Sequence, residues 1–335
     1  MTRYLLLAAL LAAPALAEFI PQRADPWVLE KDGHYYFTAS VPSFDKVVLR
    51  KANSLAGLAQ ASEITAWQRP AEGKLAGFVW APELHYLDGH WYLLVAVGSQ
   101  QSPFQVRTQV LTNSAADPTQ GQWQWQGQMQ TQWDSFNLDA TLLQQGDRHY
   151  LIWAQHPPGK AYNSALYIAQ LTGPTQLGPQ TLISEPTLSW ETVGYAVNEG
   201  PAVLQRNGKF LVTFSASATD ANYAMGLLWA DEDADLLDPA SWHKLAKPVL
   251  STNAKVKRFG PGHNSFTRDK QGRDILVYHA RYQAELQGSP LEDPNRDARL
   301  KLIHWQADGM PDFGQDEGDL PASPQALVEE PKDRR

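Results

Sequence analysis

The sequence predicts an all-β fold, a five-bladed β-propeller, from three observations. A hairpin-like unit occurs five times along the 335 residues. The turn glycines of these units, Gly33, Gly89, Gly146, Gly208 and Gly272, are separated by 56, 57, 62 and 64 residues. Strong helical periodicity is absent. Each period leaves room for two strands beyond its hairpin, and short β units that repeat at this spacing are typical of propellers.

Each unit joins a short apolar stretch to a second stretch rich in aromatic and β-branched residues, through a polar turn that contains Gly. The units are DPWVLEKDGHYYFTAS from Asp25, WAPELHYLDGHWYLLVAV from Trp80, DATLLQQGDRHYLIWAQ from Asp139, EGPAVLQRNGKFLVTFSAS from Glu199 and HNSFTRDKQGRDILVYHAR from His263. The alternative architecture is a pair of β-sandwich domains. The propeller is favoured because no Pro/Gly/Ser-rich linker divides the chain.

Further segments of strand-like composition follow each hairpin, as a propeller blade requires. The predicted third strands are Lys46 to Ala52, Gln105 to Thr112, Ser164 to Leu171, Ala224 to Asp231 and Leu300 to Ala307. A more polar fourth strand is predicted in the second blade, from Gly121 to Gln128, where alternating residues suit an exposed outer edge.

The two ends of the chain differ from the repeating part. Residues 1–17, MTRYLLLAALLAAPALA, combine a basic residue, an apolar stretch and small residues before the predicted cleavage point between Ala17 and Glu18. This pattern predicts a secretory signal peptide, with a buried first helix as the alternative. Residues 18–335 are then expected to form one catalytic propeller domain. The acidic tail from about Gln315 to Arg335 has no predicted role and is a candidate for disorder.

Composition excludes several classes of function. The chain has no cysteine, which rules out thiolate nucleophiles and Cys-based zinc sites. Its net charge is −8 and it has no basic patch, so no nucleic-acid partner is expected. After signal cleavage, no segment is long and apolar enough to span a membrane. Twelve Trp and twelve Tyr provide flat aromatic faces suited to stacking on sugars.

Functional residues are predicted where the first strand of each blade begins. In a propeller these strands line the central channel, so their first residues should converge at one end. Three of them are carboxylates, Asp25, Asp139 and Glu199, and the others are Trp80 and His263. Converging carboxylates repel one another and are costly to hold in a partly desolvated funnel, which favours a chemical role. Both divalent-metal binding and glycoside hydrolysis use such clusters, and the aromatic content favours the sugar chemistry.

Five motifs in order, ADPWVLEKDGHYYF, WAPELHY, LDATLL, VNEGPAVL and GPGHNSF with YHAR, together resemble glycoside hydrolase family 43. Within it they look most like exo-acting α-L-arabinofuranosidases. The resemblance implies a five-bladed propeller and an inverting mechanism. It makes Asp25 the general base and Glu199 the general acid. Asp139 would raise the pKa of the acid and orient it, and the acid and base carboxyls should stand about 6.5–9.5 Å apart.

The resemblance also implies roles for three more residues. His263 would lie deep in the channel and contact water or a cation such as calcium, with a hydrogen-bonded core histidine as the alternative. Arg281 would reach the sugar hydroxyls, and Trp80 would form a wall for the sugar. No cofactor is required, although a structural calcium or another cation could occupy the channel.

The leading hypothesis is an exported enzyme, periplasmic or extracellular, that releases L-arabinofuranose from plant-cell-wall arabinan or its oligosaccharides. The nearest alternatives are a β-xylosidase or a β-galactofuranosidase on the same scaffold. Two alternatives from other classes are a non-catalytic sugar-binding propeller and a calcium-dependent adhesion module.

Overall fold

The computed structural model describes residues 19–321. The predicted signal peptide and residues 322–335 of the predicted tail lie outside this range. Five antiparallel sheets are formed in chain order, which confirms the five-bladed propeller. In each sheet the strand that comes first in the chain lies at one edge, and the following strands are added in sequence.

Four blades have four strands. The first contains β1 (Ala24–Lys31), β2 (His34–Ser40), β3 (Lys46–Ala52) and β4 (Ile64–Gln68). The second contains β5 (Val79–Leu87), β6 (His90–Val97), β7 (Arg107–Asn113) and β8 (Gln124–Gln128). The third contains β9 (Asn137–Gln145), β10 (Arg148–Gln155), β11 (Ala165–Gln170) and β12 (Thr181–Ser184). The fourth contains β13 (Asn198–Arg206), β14 (Lys209–Ala216), β15 (Ala224–Asp231) and β16 (His243–Lys244).

The fifth blade has three strands, β17 (Phe259–Arg268), β18 (Asp274–Arg281) and β19 (Asp297–Leu302). A separate two-stranded sheet of β20 (His304–Trp305) and β21 (Pro311–Asp312) follows it. Helical segments in the described range are short: α1 (Leu55–Gln60) and the 3-10 turns Ser189–Glu191, Pro239–Ser241 and Ala254–Val256. None of the helices within residues 19–321 is long and apolar enough to cross a bilayer.

The third strands of the first and fourth blades have the predicted bounds, and those of the second and third blades differ by one or two residues at their ends. The fifth blade differs more, because β19 begins at Asp297 rather than at Leu300 and ends at Leu302. Three charged residues of this strand, Asp297, Arg299 and Lys301, are buried. They interrupt the apolar composition from which the strand would have been predicted.

The hydrophobic core is divided among the contacts between neighbouring blades. One apolar cluster combines Phe37 of β2 with Val277 of β18, and another combines Leu211 of β14 with Leu276 of β18. Similar clusters join the other neighbouring pairs of blades. Each blade is therefore stabilised by apolar burial on both of its faces.

The free edge of β19 is covered by segments from both ends of the described chain. The backbone N–H of Phe19 donates to the carbonyl of Ala298 at 2.8 Å, and the N–H of Ala298 donates to the carbonyl of Ile20 at 2.9 Å. The N–H of Leu320 donates to the carbonyl of Leu300 at 2.8 Å. Residues 19–20 thus join the last blade to the first, and the described part of the tail packs on the fifth blade.

Every first strand of a blade has a residue with positive φ near its beginning. These residues are Asp25 (53°), Ala81 (45°), Asp139 (55°), Gly200 (54°) and His263 (41°). The pairing register with the second strand shifts at each of these places. Such bulges re-aim side chains, and here they lie where the first strands meet the functional cavity described below.

Candidate active site

A cavity of about 670 Å³ lies at the bulged ends of the first strands. Five of the six predicted site residues line it: Asp25, Trp80, Asp139, Glu199 and His263. The three carboxylates thus come from the first, third and fourth blades and meet in one hollow.

The bulge of β1 holds Asp25 in a dense set of contacts. Ser40 Oγ donates a hydrogen bond to Asp25 Oδ2 at 2.5 Å, and Arg296 Nη1 lies 3.5 Å from Asp25 Oδ1. The ring nitrogen Nδ1 of His263 lies 3.3 Å from the same oxygen. Burial alone would raise the pKa of Asp25, but His263 and Arg296 outweigh it and hold the pKa well below its usual range. Asp25 is therefore ionised at neutral pH.

Asp139 and Glu199 are the other two carboxyl residues of the cavity. Asp139 is 3% exposed, and its Oδ2 accepts a 2.9 Å hydrogen bond from the backbone N–H of Gly200. Glu199 is half-buried, and its Oε1 accepts a 2.8 Å hydrogen bond from the hydroxyl of Tyr223. The bulge at Gly200 therefore links the two carboxyls, since it follows Glu199 directly and donates to Asp139.

Burial raises the pKa of Glu199 to about 7, and the negative charge of Asp25 acts in the same direction. Burial also raises the pKa of Asp139 well above its usual range, with the charges of Glu199 and Asp25 adding to the effect. The pair therefore retains a proton at neutral pH. The N–H of Gly200 acts in the opposite direction on the pKa of Asp139, since a hydrogen bond to the carboxylate favours its ionised form. One protonated carboxyl thus faces the cavity together with one ionised carboxylate, Asp25.

His263 lies in β17, the first strand of the fifth blade, and is 7% exposed. Its Nδ1 lies 3.8 Å from Asp139 Oδ2, in addition to its contact with Asp25. Within residues 19–321, His, Cys, Asp and Glu side chains form no group of three or more that could hold a metal ion. The His263 ring thus lies between the carboxylates of Asp25 and Asp139.

Trp80 belongs to an aromatic wall of the cavity. Its ring stacks on Phe78, with centroids 5.7 Å apart and an interplanar angle of 13°. Phe104 lies 5.9 Å from Trp80 and is 55% exposed. Tyr195, also a lining residue, is 58% exposed. These rings give the cavity apolar surfaces of the kind that sugar faces stack on.

Arg281 is not among the residues that line the cavity. It ends β18 and is 2% exposed, and its guanidinium donates to the carbonyls of Thr219 and Pro290 at 2.7 Å and to Asp293 Oδ1 at 3.2 Å. Thr219 and Pro290 do line the cavity, so Arg281 supports two of its wall segments from behind. The guanidinium that faces the cavity is that of Arg296.

Four residues of this site escaped the sequence analysis: Ser40, Tyr223, His279 and Arg296. His279 lies in the YHAR motif, so a signal for it was present. Ser40 ends the second strand of the first blade, and Arg296 precedes the displaced strand β19. Ser40 is the last residue of the first repeat unit, but nothing there marks it as a site residue, and Arg296 lies outside the repeat units; both reach the site through the packing of blades and loops.

Comparisons with known proteins identify the family of the chain. Residues 18–311 match the family described as Glycosyl hydrolases family 43. The chain is 50% identical over 296 residues to "Extracellular exo-alpha-(1->5)-L-arabinofuranosidase" of Streptomyces avermitilis, a match that covers 88% of this chain and 62% of that protein. It is also 50% identical over 310 residues to "Alpha-L-arabinofuranosidase 43" of Humicola insolens, covering 90% of this chain and 64% of that protein. The chain thus spans less than two thirds of the length of these two curated relatives.

Among solved structures, an α-L-arabinofuranosidase from Lactobacillus brevis superposes with a TM-score of 0.86 at 44% identity, and the match covers 90% of this chain and 96% of that one. The propeller topology, the carboxyl cluster and these similarities lead to one conclusion: the chain belongs to glycosyl hydrolases family 43.

Proposed function

We propose that this protein is an inverting, exo-acting α-L-arabinofuranosidase that removes terminal L-arabinofuranose from arabinan or arabino-oligosaccharides. The observation that carries the proposal is the meeting of Asp25, Asp139 and Glu199 in one cavity, where the pKa of Glu199 is raised to about 7 and that of Asp25 is lowered. A hydrolysis that needs one proton donor and one proton acceptor requires this pairing.

In the proposed reaction the sugar lies between Asp25 and Glu199. Asp25 removes a proton from a water molecule as the water oxygen forms a bond to the anomeric carbon. The bond between that carbon and the glycosidic oxygen breaks, and Glu199 gives its proton to the departing oxygen. Asp25 ends protonated and Glu199 ionised, and one proton returns from Asp25 to Glu199 through solvent. A single displacement inverts the configuration at the anomeric carbon.

The choice of sugar follows from the relatives, whose names give α-L-arabinofuranosidase activity and, for the Streptomyces avermitilis protein, exo action on (1->5) linkages. A plant-cell-wall polysaccharide that carries arabinofuranose is the substrate class we infer. The name of the same relative also supports an exported enzyme, which agrees with the predicted signal peptide. The catalytic step as proposed draws only on carboxyl groups of the chain and on water.

Replacement of the proton donor tests the proposal directly. Glu199→Gln is expected to fold normally and to lose about 10²–10⁴-fold in kcat on linear arabino-oligosaccharides, because the leaving oxygen is no longer protonated. NMR of the wild-type reaction should show that the first anomer released is the β anomer, the inverted one.

Glu232→Gln is the matched control, since Glu232 is exposed on the turn after β15 and should retain full activity. A panel of aryl α-L-arabinofuranosides, β-xylosides and β-galactofuranosides separates the arabinofuranosidase from the two alternative activities. Near-full activity of Glu199→Gln, or first release of the retained anomer, would falsify the mechanism. Tight binding of arabino-oligosaccharides without turnover would instead point to a sugar-binding propeller.

A further inference from the structure

Tyr223 connects the proton donor to the opposite side of the cavity. It lies in the connection between β14 and β15 and is 1% exposed. Its hydroxyl donates to Glu199 Oε1 at 2.8 Å, and its ring stacks on the imidazole of His279 with centroids 5.7 Å apart and an interplanar angle of 5°. Tyr223 therefore contacts the acid through its hydroxyl and a histidine of β18 through its ring.

His279 in turn contacts the base. The backbone N–H of Asp25 donates to His279 Nδ1 at 3.0 Å, and Asp25 Oδ1 lies 3.4 Å from the same nitrogen; a neutral ring that accepts at Nδ1 carries its proton on Nε2. Burial lowers the pKa of His279 to about 3, which keeps the ring neutral. In the described part of the chain Nε2 has no hydrogen-bond partner. A buried unsatisfied donor is unfavourable, so a purely structural role would be served better by an apolar ring.

The packing leaves the ring of Tyr223 little freedom. A Cβ atom on Gly262 would lie 2.3 Å from Cε1 of Tyr223. The backbone of β17 therefore packs so closely on the tyrosine ring that no larger residue fits at this position. Asp25, whose backbone N–H donates to His279, has φ of 53°, in the left-handed region that non-glycine residues adopt uncommonly. The hydrogen bond from Asp25 to His279 supports the bulge.

We propose that Tyr223 and His279 form an acid–base bracket, a rigid stacked pair of positioning residues that fixes the place of Glu199 relative to Asp25. The bracket rests on the proposed function, because it matters only if these two carboxyls act as donor and acceptor. One end orients the Glu199 carboxyl by a hydrogen bond. The other end holds the backbone of Asp25, and the ring stack sets the distance between the two ends.

The bracket also acts on the proton of Glu199. The titratable and charged groups around Glu199 are Tyr223, Asp25 of β1, Asp139 of β9, Arg296 of the β18–β19 loop and His263 of β17, which contacts both aspartates. Among them, the hydroxyl of Tyr223 and the charge of Arg296 lower the pKa of Glu199. Loss of the hydroxyl should therefore leave Glu199 protonated to higher pH.

Tyr223→Phe keeps the ring stack and removes only the hydrogen bond to Glu199. We expect kcat/KM on arabino-oligosaccharides to fall about 10–100-fold, because proton donation to a poor leaving group needs an oriented acid. With 2,4-dinitrophenyl α-L-arabinofuranoside, whose leaving group needs no proton, the loss should stay below about threefold. The alkaline limb of the pH profile should move upward by about one pH unit, the shift expected for one lost charge-assisted hydrogen bond.

Tyr223→Leu tests the other half of the bracket, since it removes the stack on His279 as well. It should lose a further factor of about 10 on the dinitrophenyl substrate, because base catalysis by Asp25 is then also impaired. Equal activity of Tyr223→Leu and Tyr223→Phe on that substrate would show that the stack has no positioning role. Equal losses of Tyr223→Phe on both substrates, with an unmoved alkaline limb, would overturn the contact with the acid.

Two parallel variants separate the bracket from the proposed function. Tyr86→Phe, at an exposed tyrosine of β5 outside the cavity, should match the wild type on every substrate. Glu199→Gln should show the strongest dependence on the leaving group. If Glu199→Gln shows that dependence and Tyr223→Phe does not, the bracket fails and the acid assignment stands. If neither shows it, the proposed function fails together with the bracket.

Discussion

Glu199 and Asp25 have the same functional group, and their surroundings shift their pKa values in opposite directions. Asp25 lies beside Arg296 and accepts a hydrogen bond from Ser40, both of which favour the carboxylate. Glu199 is held near two other carboxyls in a partly desolvated cavity, which favours the protonated acid. The chemical difference between the two residues therefore comes from their neighbours.

This difference predicts the pH dependence of activity. In the proposed mechanism Glu199 works only when protonated, and its pKa is raised to about 7, so kcat/KM should fall roughly tenfold per pH unit above about pH 7. The proposed base Asp25 works only when ionised, and its pKa is lowered, so no loss from the base is expected between pH 5 and 7. Initial rates between pH 4 and 9 in constant ionic strength measure both limbs.

Asp139→Asn provides the companion measurement, because it removes a negative charge from the pair. The alkaline limb should move to lower pH, since Glu199 then loses its proton more readily. An unchanged limb in this variant would contradict the assignment of Asp139 as the residue that keeps the acid protonated.

At the scale of elements, a buried network holds the strand that carries Glu199. The carboxylate of Glu191 is fully buried, pairs with Lys244 of β16, and accepts from Asn198 Nδ2 at 3.2 Å. Lys244 Nζ and Ser184 Oγ donate to Asn198 Oδ1 at 3.2 and 2.6 Å. Asn198 begins β13 and precedes the acid, so the outer strand of the blade supports the position of a residue at its inner edge.

Lys244→Met should leave Glu191 as an uncompensated buried charge and lower the free energy of unfolding by about 3–5 kcal/mol. The double variant with Glu191→Gln, which neutralises that charge and keeps an acceptor, should recover at least half of this loss. Denaturant unfolding of the two single variants and the double variant measures the coupling. Simple additivity of the two single losses would show that the pair is not coupled in the folded protein.

At the scale of the whole molecule, the ring of blades is closed by a short segment that is not part of any blade. Phe19 and Ile20 are 2% and 0% exposed and pack in the cluster between the first and fifth blades. Their backbone also covers the edge of β19, which has no fourth strand. The last blade thus depends on residues far away in sequence.

Phe19→Ala should therefore destabilise the protein by about 3–5 kcal/mol, as expected for truncation of a buried Phe. Phe104→Ala, at a phenylalanine that is 55% exposed, is the control and should cost about 1 kcal/mol or less. Equilibrium unfolding in guanidinium chloride compares the two. A loss at Phe19 no larger than that at Phe104 would show that the closing segment contributes little.

The residues predicted at the beginnings of the first strands are structurally equivalent in three blades and displaced by one residue in the other two. The bulges make Asp25, Ala81, Asp139, Gly200 and His263 equivalent, so Trp80 and Glu199 each precede the bulge by one residue. A bulge adds a residue to one strand without a mark in the composition, and turn spacing therefore cannot locate it. This offset gives Glu199 a place different from those of the two aspartates.

The sequence by itself determined the fold class, the number of blades, the five cavity residues named from strand beginnings and the family resemblance, because these depend on local periodicity, turn chemistry and ordered motifs. Only the tertiary structure decided that Arg296 rather than Arg281 faces the cavity, and that Tyr223 and His279 join the acid to the base. The physical reason is that these contacts join residues distant in sequence, 254 positions apart for Asp25 and His279 and 24 for Tyr223 and Glu199, and no local pattern records which side chains such packing brings together.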